Sequence, residues 1–285
     1  MRVKAIRDLA QCPEREFFHE VAIGLDLVAQ NAFAIEDDAR HMWGGKRPRG
    51  HAVLRALAAE EAAKFLILLD AVRCPRVPPE TFSGQIDRFD KHLPKGIYAQ
   101  YCDWQPATFA DVERLIEPQR FEFYLDGPNG VDWILPNEIL NGRESTLYVD
   151  FVQTDEEHAW VQPLQYYPLL GVGFPYIAPR VLRLVRDLHA LGFADPRALE
   201  VIAKTWRAVR MNPDFHRRDL QDLNRQTLEA LLAKGLLRNA AASTREAVID
   251  LWLFPLHSVD LSPIPVDKDR LRAARDDYWY REMGV

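Results

Sequence analysis

The chain has 285 residues, of which 48% are hydrophobic and 27% are charged, and its formal net charge is −6. This composition is typical of a globular protein, and the length allows one large domain or two modest ones. The negative net charge argues against a general electrostatic affinity for nucleic acid, although it allows a local basic patch. Three scattered cysteines, Cys12, Cys74 and Cys102, form neither a disulfide framework nor a zinc motif.

The apolar runs all fall short of the roughly 18 residues that a membrane span needs. The N-terminal stretch MRVKAIRDLAQCPEREFF also lacks the apolar segment of a signal peptide. We therefore expect a soluble protein of a reducing cytoplasm, without membrane association.

Helical periodicity of apolar residues dominates the first half of the chain. The helices are predicted at 14–43, 51–72, 81–101 and 106–124. Thr81 is the expected N-cap of the third helix, and Pro94 is expected to kink or interrupt it, because proline removes a helical hydrogen bond. The fourth helix is expected to start near Thr108.

The segment 126–163 is rich in turn residues and contains a β-like run at 146–152. Its tryptophan- and tyrosine-bearing stretches argue against disorder. Loops of this length within compact proteins are usually functional. We therefore predict an ordered aromatic loop with a short β segment.

Helical patterns return in the second half of the chain, at 177–191, 196–211, 220–234 and 266–283. Gly235 is a plausible left-handed helix cap. A Pro- and Gly-rich stretch at 166–176 separates the two halves. The predicted fold is an all-α helical bundle with two regions: a core with its loop at 1–165, and additional helices at 166–285 packed on it.

An acid interrupts an apolar face of the second predicted helix. Five apolar residues and Glu61 share this face because their spacing follows the helical repeat. The apolar members are Leu54, Leu57, Phe65, Leu68 and Val72. Lys64 lies one turn from Glu61 and offers a local ion pair. An unpaired buried carboxylate is costly, so Glu61 is expected to face a partner.

Basic residues of the third predicted helix are the expected partners of Glu61. Arg88 and His92 are four residues apart, and His92 and Lys95 three, so each pair is predicted to share a helix face. Groups of this kind perturb each other's pKa values and concentrate at functional sites. The long loop adds Arg143, and also Tyr148 and Asp150, which point the same way if the chain is extended there. A purely structural ion pair at Glu61 is the competing interpretation.

Three segments together resemble the AbiV family of bacterial abortive-infection proteins. Typical members carry a helix with Glu-Glu-x-x-Lys, a His-x-x-Lys helix and a Leu-Tyr-Val-Asp segment. Here AAEEAAK, FDKHLPK and RESTLYVDF stand in the same order, at 58–64, 89–95 and 143–151. The resemblance covers roughly residues 17–163.

The resemblance implies a helical core akin to HEPN domains, many of which are dimeric, metal-independent ribonucleases with an Arg-x4-6-His motif. Arg88 and His92 are one residue too close for this motif, whereas Arg183 with His189 and Arg210 with His216 have a fitting spacing. Matches to so short a motif are expected by chance. Pro213 would also break a helix that carried the last pair.

Three functions remain open from the sequence. In the first, the protein acts in antiphage defence and binds a phage protein or another component of phage or host. The binding group consists of a basic cluster (Arg88, His92 and Lys95) together with Glu61, Lys64, Arg143, Tyr148 and Asp150. In the second, His92 is the general acid or base of a ribonuclease, and Arg88, Lys95 or Arg143 holds the phosphate of RNA. In the third, the segment 223–254 belongs to a DNA-binding regulator. No metal site, cofactor or Gly-rich phosphate loop is predicted, and a homodimer is an expectation.

Overall fold

The computed structural model describes residues 5–127, 133–153, 158–163, 176–238 and 241–283. Over these residues the protein is an all-α helical bundle, which confirms the predicted fold class. The helices are α1 (Glu14–Gly44), α2 (Pro48–Arg73), α3 (Pro79–Asp87), α4 (His92–Tyr101), α5 (Phe109–Ile116), α6 (Glu138–Leu147), α7 (Arg180–Leu191), α8 (Pro196–Trp206), α9 (Arg217–Ala233), α10 (Ala242–Leu251) and α11 (Lys268–Met283). Two antiparallel hairpins accompany them, formed by β1 (Phe123–Leu125) with β2 (Ile134–Pro136) and by β3 (Asp150–Gln153) with β4 (His158–Val161).

Helix α2 is the centre of the bundle. A short turn folds it back against α1, and it also contacts α3, α4, α6, α7 and α8. Every residue from Phe65 to Cys74 is buried, so the second half of α2 is surrounded by protein on all sides. This explains the long apolar run there, because a helix that is apolar all round is a buried one.

The third predicted helix is two helices. The chain leaves α3 through a short 3-10 turn, and Lys91 then takes an extended conformation with φ −94° and ψ 133° before α4 begins. In a continuous helix the ring of Pro94 would clash with the carbonyl four residues earlier, whereas in the first turn of a new helix proline is tolerated. The interruption was predicted, but it lies three residues before the proline. The N-cap prediction at Thr81 was wrong, because α3 starts at Pro79.

The fourth predicted helix starts as expected and ends early. Thr108 caps α5 through a capping box with Asp111. The helix ends at Ile116, because Pro118 has no backbone N–H with which to continue the helical hydrogen bonds. A 3-10 turn follows, and β1 replaces the predicted end of the helix at Tyr124.

The long loop contains a helix that periodicity did not reveal. Asn137 caps α6, with its side-chain oxygen accepting from the backbone N–H of Ile139 at 2.9 Å. The predicted β-like run at 146–152 was therefore wrong at its start, because Leu147 still belongs to α6. The last three residues of the run, from Asp150, belong to β3. Helix α6 packs on both α2 and α4, so it anchors the loop on the bundle.

The second half of the chain contributes to the same core as the first half. Helices α7 and α8 pack on α1 and α2, and one hydrophobic cluster includes residues such as Phe65 and Leu184 from both halves. Gly235 has the predicted left-handed conformation, with φ 64°, whereas α10 was not predicted. The predicted boundary at 165/166 lies outside the described residues.

No helix within the described ranges combines the length and the apolar character that crossing a membrane requires.

Candidate functional site

A glutamate of α2 does face the basic residues of α4, but it is Glu60. One carboxylate oxygen of Glu60, Oε2, lies 3.3 Å from His92 Nδ1 and 3.3 Å from Lys95 Nζ. The side chains of Glu60 and Lys95 are mostly covered, whereas that of His92 is 51% exposed. We call Glu60, His92 and Lys95 the Glu60 cluster. The cluster joins two helices and opens to solvent at the histidine.

Glu61 is satisfied on its own helix. Its carboxylate lies 2.7 Å from Lys64 Nζ, and both side chains are partly buried. The ammonium group of Lys64 also sits 5.2 Å from the centre of the Phe89 ring, which is a favourable cation–π position. The prediction that Glu61 faces the basic cluster was therefore wrong. Glu61 instead forms a structural ion pair, which was the competing interpretation.

Arg88 does not join the Glu60 cluster. Its guanidinium donates to Gln85 Oε1 at 2.8 Å, to the Leu256 carbonyl at 2.7 Å and to the Val259 carbonyl. Because the chain is extended at Lys91, Arg88 and His92 lie on different elements and do not share a helix face. Arg88 is instead a structural residue that holds the C-terminal part of the chain.

The loop residues remain apart from the Glu60 cluster. Tyr148 is 60% exposed and Asp150 is exposed as well. Among the described residues, no hydrogen bond or ion pair joins either one to the cluster. Arg143 belongs to α6, and its side chain lies outside the described part. The loop is thus held by α6, and the Tyr148–Asp150 segment does not close over the cluster.

The Arg–His pairs with ribonuclease-like spacing are also separate from the cluster. His189 Nε2 lies 2.8 Å from Asp26 Oδ1, and this hydrogen bond lowers the pKa of the Asp26 carboxyl. Arg183 is exposed on α7. His216 caps the start of α9, and Arg210 precedes that helix, so the expected helix break near Pro213 is confirmed.

A buried polar network that the periodicity did not reveal lies deeper along α2. Asp70 and Arg73 are 1% and 3% exposed, and they form a side-chain ion pair. Asp70 Oδ2 also accepts from the Tyr98 hydroxyl at 2.6 Å and from the Leu256 backbone N–H at 2.8 Å. Arg73 Nη1 donates to the Leu253 carbonyl at 2.9 Å. One sequence feature could have predicted this network: two opposite charges, three residues apart, lie within the otherwise apolar run LILLDAVR.

Two tryptophan rings pack against this network, and His257 is a buried histidine of the same C-terminal segment. The guanidinium of Arg73 lies 4.5 Å from the centre of the Trp206 ring and 4.7 Å from that of Trp252. Burial lowers the pKa of His257 to about 4, and it raises the pKa of Tyr98 well above its usual value. We therefore assign Asp70 and Arg73 a structural role, because they pin the segment 252–259 over the core and have no access to solvent.

A shallow concavity of about 800 Å³ lies elsewhere on the surface, between the starts of α5 and α9. Its lining includes Ala107, His216, Arg217 and Asp250. Arg217 donates to the Asp250 carbonyl at 3.0 Å. This concavity contains no residue of the Glu60 cluster, and one of its two arginines, Arg217, is used in holding α9 to α10.

Across the described ranges, no group of three or more His, Cys, Asp or Glu side chains is placed to hold a metal ion. The Glu60 cluster combines one carboxylate, one imidazole and one ammonium group, which can donate and accept hydrogen bonds. Comparison with known proteins finds no matching family model, no similar curated protein and no similar solved structure.

Proposed function

We propose that the protein is an abortive-infection protein of bacterial antiphage defence, which acts in the cytoplasm by binding a phage or host component at the Glu60 cluster. One observation carries the proposal. The Glu-Glu-x-x-Lys segment and the His-x-x-Lys segment of the resemblance lie on different helices, and they meet at the carboxylate of Glu60.

The exposure of His92 supports a binding role at this position. Its Nδ1 is held by Glu60, while Nε2 has no hydrogen-bond partner among the described residues. Lys95 is held by the same carboxylate and is only 10% exposed. A partner would therefore meet one oriented imidazole on a rigid two-helix base, and little rotamer freedom would be lost on binding.

Phage-challenge plating tests the proposal. Bacteria that express the wild-type chain should plate sensitive phages at reduced efficiency, and His92→Ala should remove this protection, because the imidazole is the exposed contact. His19→Ala, an exposed histidine of α1, is the matched control and should protect like the wild type. Equal protection by the His92→Ala variant, at equal protein level, would refute the role of the Glu60 cluster.

Metal-independent ribonuclease activity is the second candidate. It is favoured by the half-exposed His92, whose pairing with a carboxylate suits a general acid or base. Arg88 is not available to hold the phosphate, since its donors are used by Gln85 and two carbonyls. If the protein is a ribonuclease, the purified sample should degrade total RNA or tRNA. It should leave an all-deoxy control intact, because the reaction uses the 2′-OH. Loss of cleavage in His92→Ala would establish it, and intact RNA in both samples would exclude it.

A further inference from the structure

One stretch of the sequence departs strongly from the acidic balance of the chain. Residues 39–59 contain five Arg or Lys and two His but no Asp or Glu. The formal net charge of the whole chain is −6 and that of this stretch is +5, so the remaining residues together have a net charge of −11. In the structure the stretch forms the end of α1, the following turn and the first half of α2. Its positive charge is thus concentrated at one corner of the bundle.

Most of these cations are exposed on the surface of the bundle. Lys46, Arg47, Arg49 and Arg55 are all exposed, and we call these four residues the basic corner. No described carboxylate forms an ion pair with Lys46, Arg47 or Arg55. Arg40 is left out because it pairs with Glu36 and Asp37. Lys46, Arg47 and Arg55 repel one another unless anions approach them, so the corner is suited to a polyanion.

Exposed aromatic rings follow directly beside the basic corner. The Arg49 guanidinium donates to the carbonyl of Leu147, and the next residue is Tyr148, which is 60% exposed. Phe151 lies three residues further, at most about 11 Å along an extended chain. The centre of its ring is 5.0 Å from that of Trp160. Phe151 and Trp160 are 56% and 71% exposed, and we call the three rings the aromatic hairpin.

Aromatic residues of this size normally form cores, because burying each contributes substantially to stability. Here all four residues of β4 are exposed. An isolated two-stranded hairpin is at best marginally stable in water. The rings are therefore placed as a surface for a partner, next to a surface for negative charge.

We propose that the basic corner and the aromatic hairpin together bind single-stranded nucleic acid. Phosphates lie against Lys46, Arg47 and Arg55, and unpaired bases stack on Tyr148, Phe151 and Trp160. This is the combination by which proteins hold single strands with little sequence preference. The sequence of the hairpin is acidic, with Asp150 and, between its two strands, Asp155, Glu156 and Glu157. These acids disfavour phosphates at the hairpin, which places the backbone at the corner and the bases at the rings. The proposal does not depend on the antiphage role or on the Glu60 cluster.

Fluorescence anisotropy with the full-length chain tests the proposal. The probes are labelled mixed-sequence oligonucleotides of about 20 nucleotides, as single-stranded RNA, single-stranded DNA and duplex DNA. Both single strands should bind more tightly than the duplex, whose bases are not free to stack. With three phosphates neutralised, the logarithm of the association constant should fall with the logarithm of salt concentration with a slope of about −2.

Charge reversal and ring removal separate the two halves of the surface. The double variant Lys46→Glu/Arg47→Glu should weaken single-strand binding by at least about tenfold and flatten the salt dependence. Trp160→Ala should weaken single-strand binding by roughly tenfold and reduce the preference over duplex, while keeping the salt slope. The matched control Lys204→Glu/Arg210→Glu changes two exposed cations of the second half by the same charge, and it should bind like the wild type.

Several results would overturn the proposal. The first is no binding at about 50 mM salt, where phosphate contacts are strong. The second is that the control double variant weakens binding as much as Lys46→Glu/Arg47→Glu does. The third is that duplex DNA binds as tightly as the single strands. The last result would favour the DNA-binding regulator instead. All substituted residues are exposed, so circular dichroism melts should match the wild type. Phage protection without oligonucleotide binding would refute this inference and leave the proposed function standing.

Discussion

Two adjacent glutamates of α2 have different partners, and the difference arises at the scale of a single residue. Consecutive residues point about 100° apart around a helix. Glu60 consequently faces α4 and receives His92 and Lys95, whereas Glu61 forms its ion pair with Lys64 on the same helix. The apolar pattern singled out Glu61, which was the wrong residue, because a shift of one position decides which helix the carboxylate meets.

Asp70 is the acid of α2 whose loss should matter most for stability. Asp70→Asn leaves the guanidinium of Arg73 buried without its counter-charge, so we expect the free energy of unfolding to fall by about 3–5 kcal/mol. Glu61→Gln, the matched change at a partly exposed pair, should cost less than about 1 kcal/mol. Urea denaturation of both variants measures the difference. Similar small losses would show that the buried network contributes little to stability.

At the scale of elements, the approach of α4 to α6 positions the long loop. A Cβ atom at Gly96 would lie 2.0 Å from Ile139 Cγ2 and 3.2 Å from Ile139 Cβ. Glycine is therefore required at this point for steric reasons, since its backbone conformation there is ordinary helix. Because α6 also packs on α2, the same contact braces both helices that carry the Glu60 cluster.

Gly96→Ala should displace α6 from α4, since an added methyl group has no space beside Ile139 and overpacking of this kind costs about 1–3 kcal/mol. The expected result is faster cleavage between residues 126 and 163, and limited proteolysis measures its rate. Ile139→Ala in the same chain frees the space and should partly restore resistance. If the Gly96→Ala variant resisted protease like the wild type, α6 would not be the anchor of the loop.

At the scale of the whole molecule, the two halves of the chain form one core. The buried part of α2 is covered by α7 and α8 from the second half. Asp70, Arg73 and Arg88 also hold the backbone of residues 253–259. Asp70 and Arg73 each form one of their hydrogen bonds only when this C-terminal segment is in place, so the first half alone lacks apolar cover for α2 and these two hydrogen-bond partners.

We therefore expect residues 1–165 not to fold as an independent unit. This fragment should show no cooperative thermal transition by circular dichroism, because exposing the second half of α2 removes a large share of the buried apolar surface. Co-expression with residues 166–285 should restore a cooperative transition by supplying α7, α8 and the C-terminal segment. A monomeric 1–165 fragment that melts cooperatively would contradict the single core.

The sequence by itself determined what local interactions decide. Apolar periodicity placed α1, α2, α7 and α9 to within a few residues, and the cap at Thr108 and the left-handed Gly235 followed from chemistry within one turn of chain. The tertiary structure alone decided the partners of the polar groups. Arg73 donates to a carbonyl 180 residues away along the chain, and Glu60 meets residues of another helix. Such contacts depend on the position and rotation of whole helices, and a hydrogen bond weakens steeply with small errors in direction, so no periodicity within one segment specifies them.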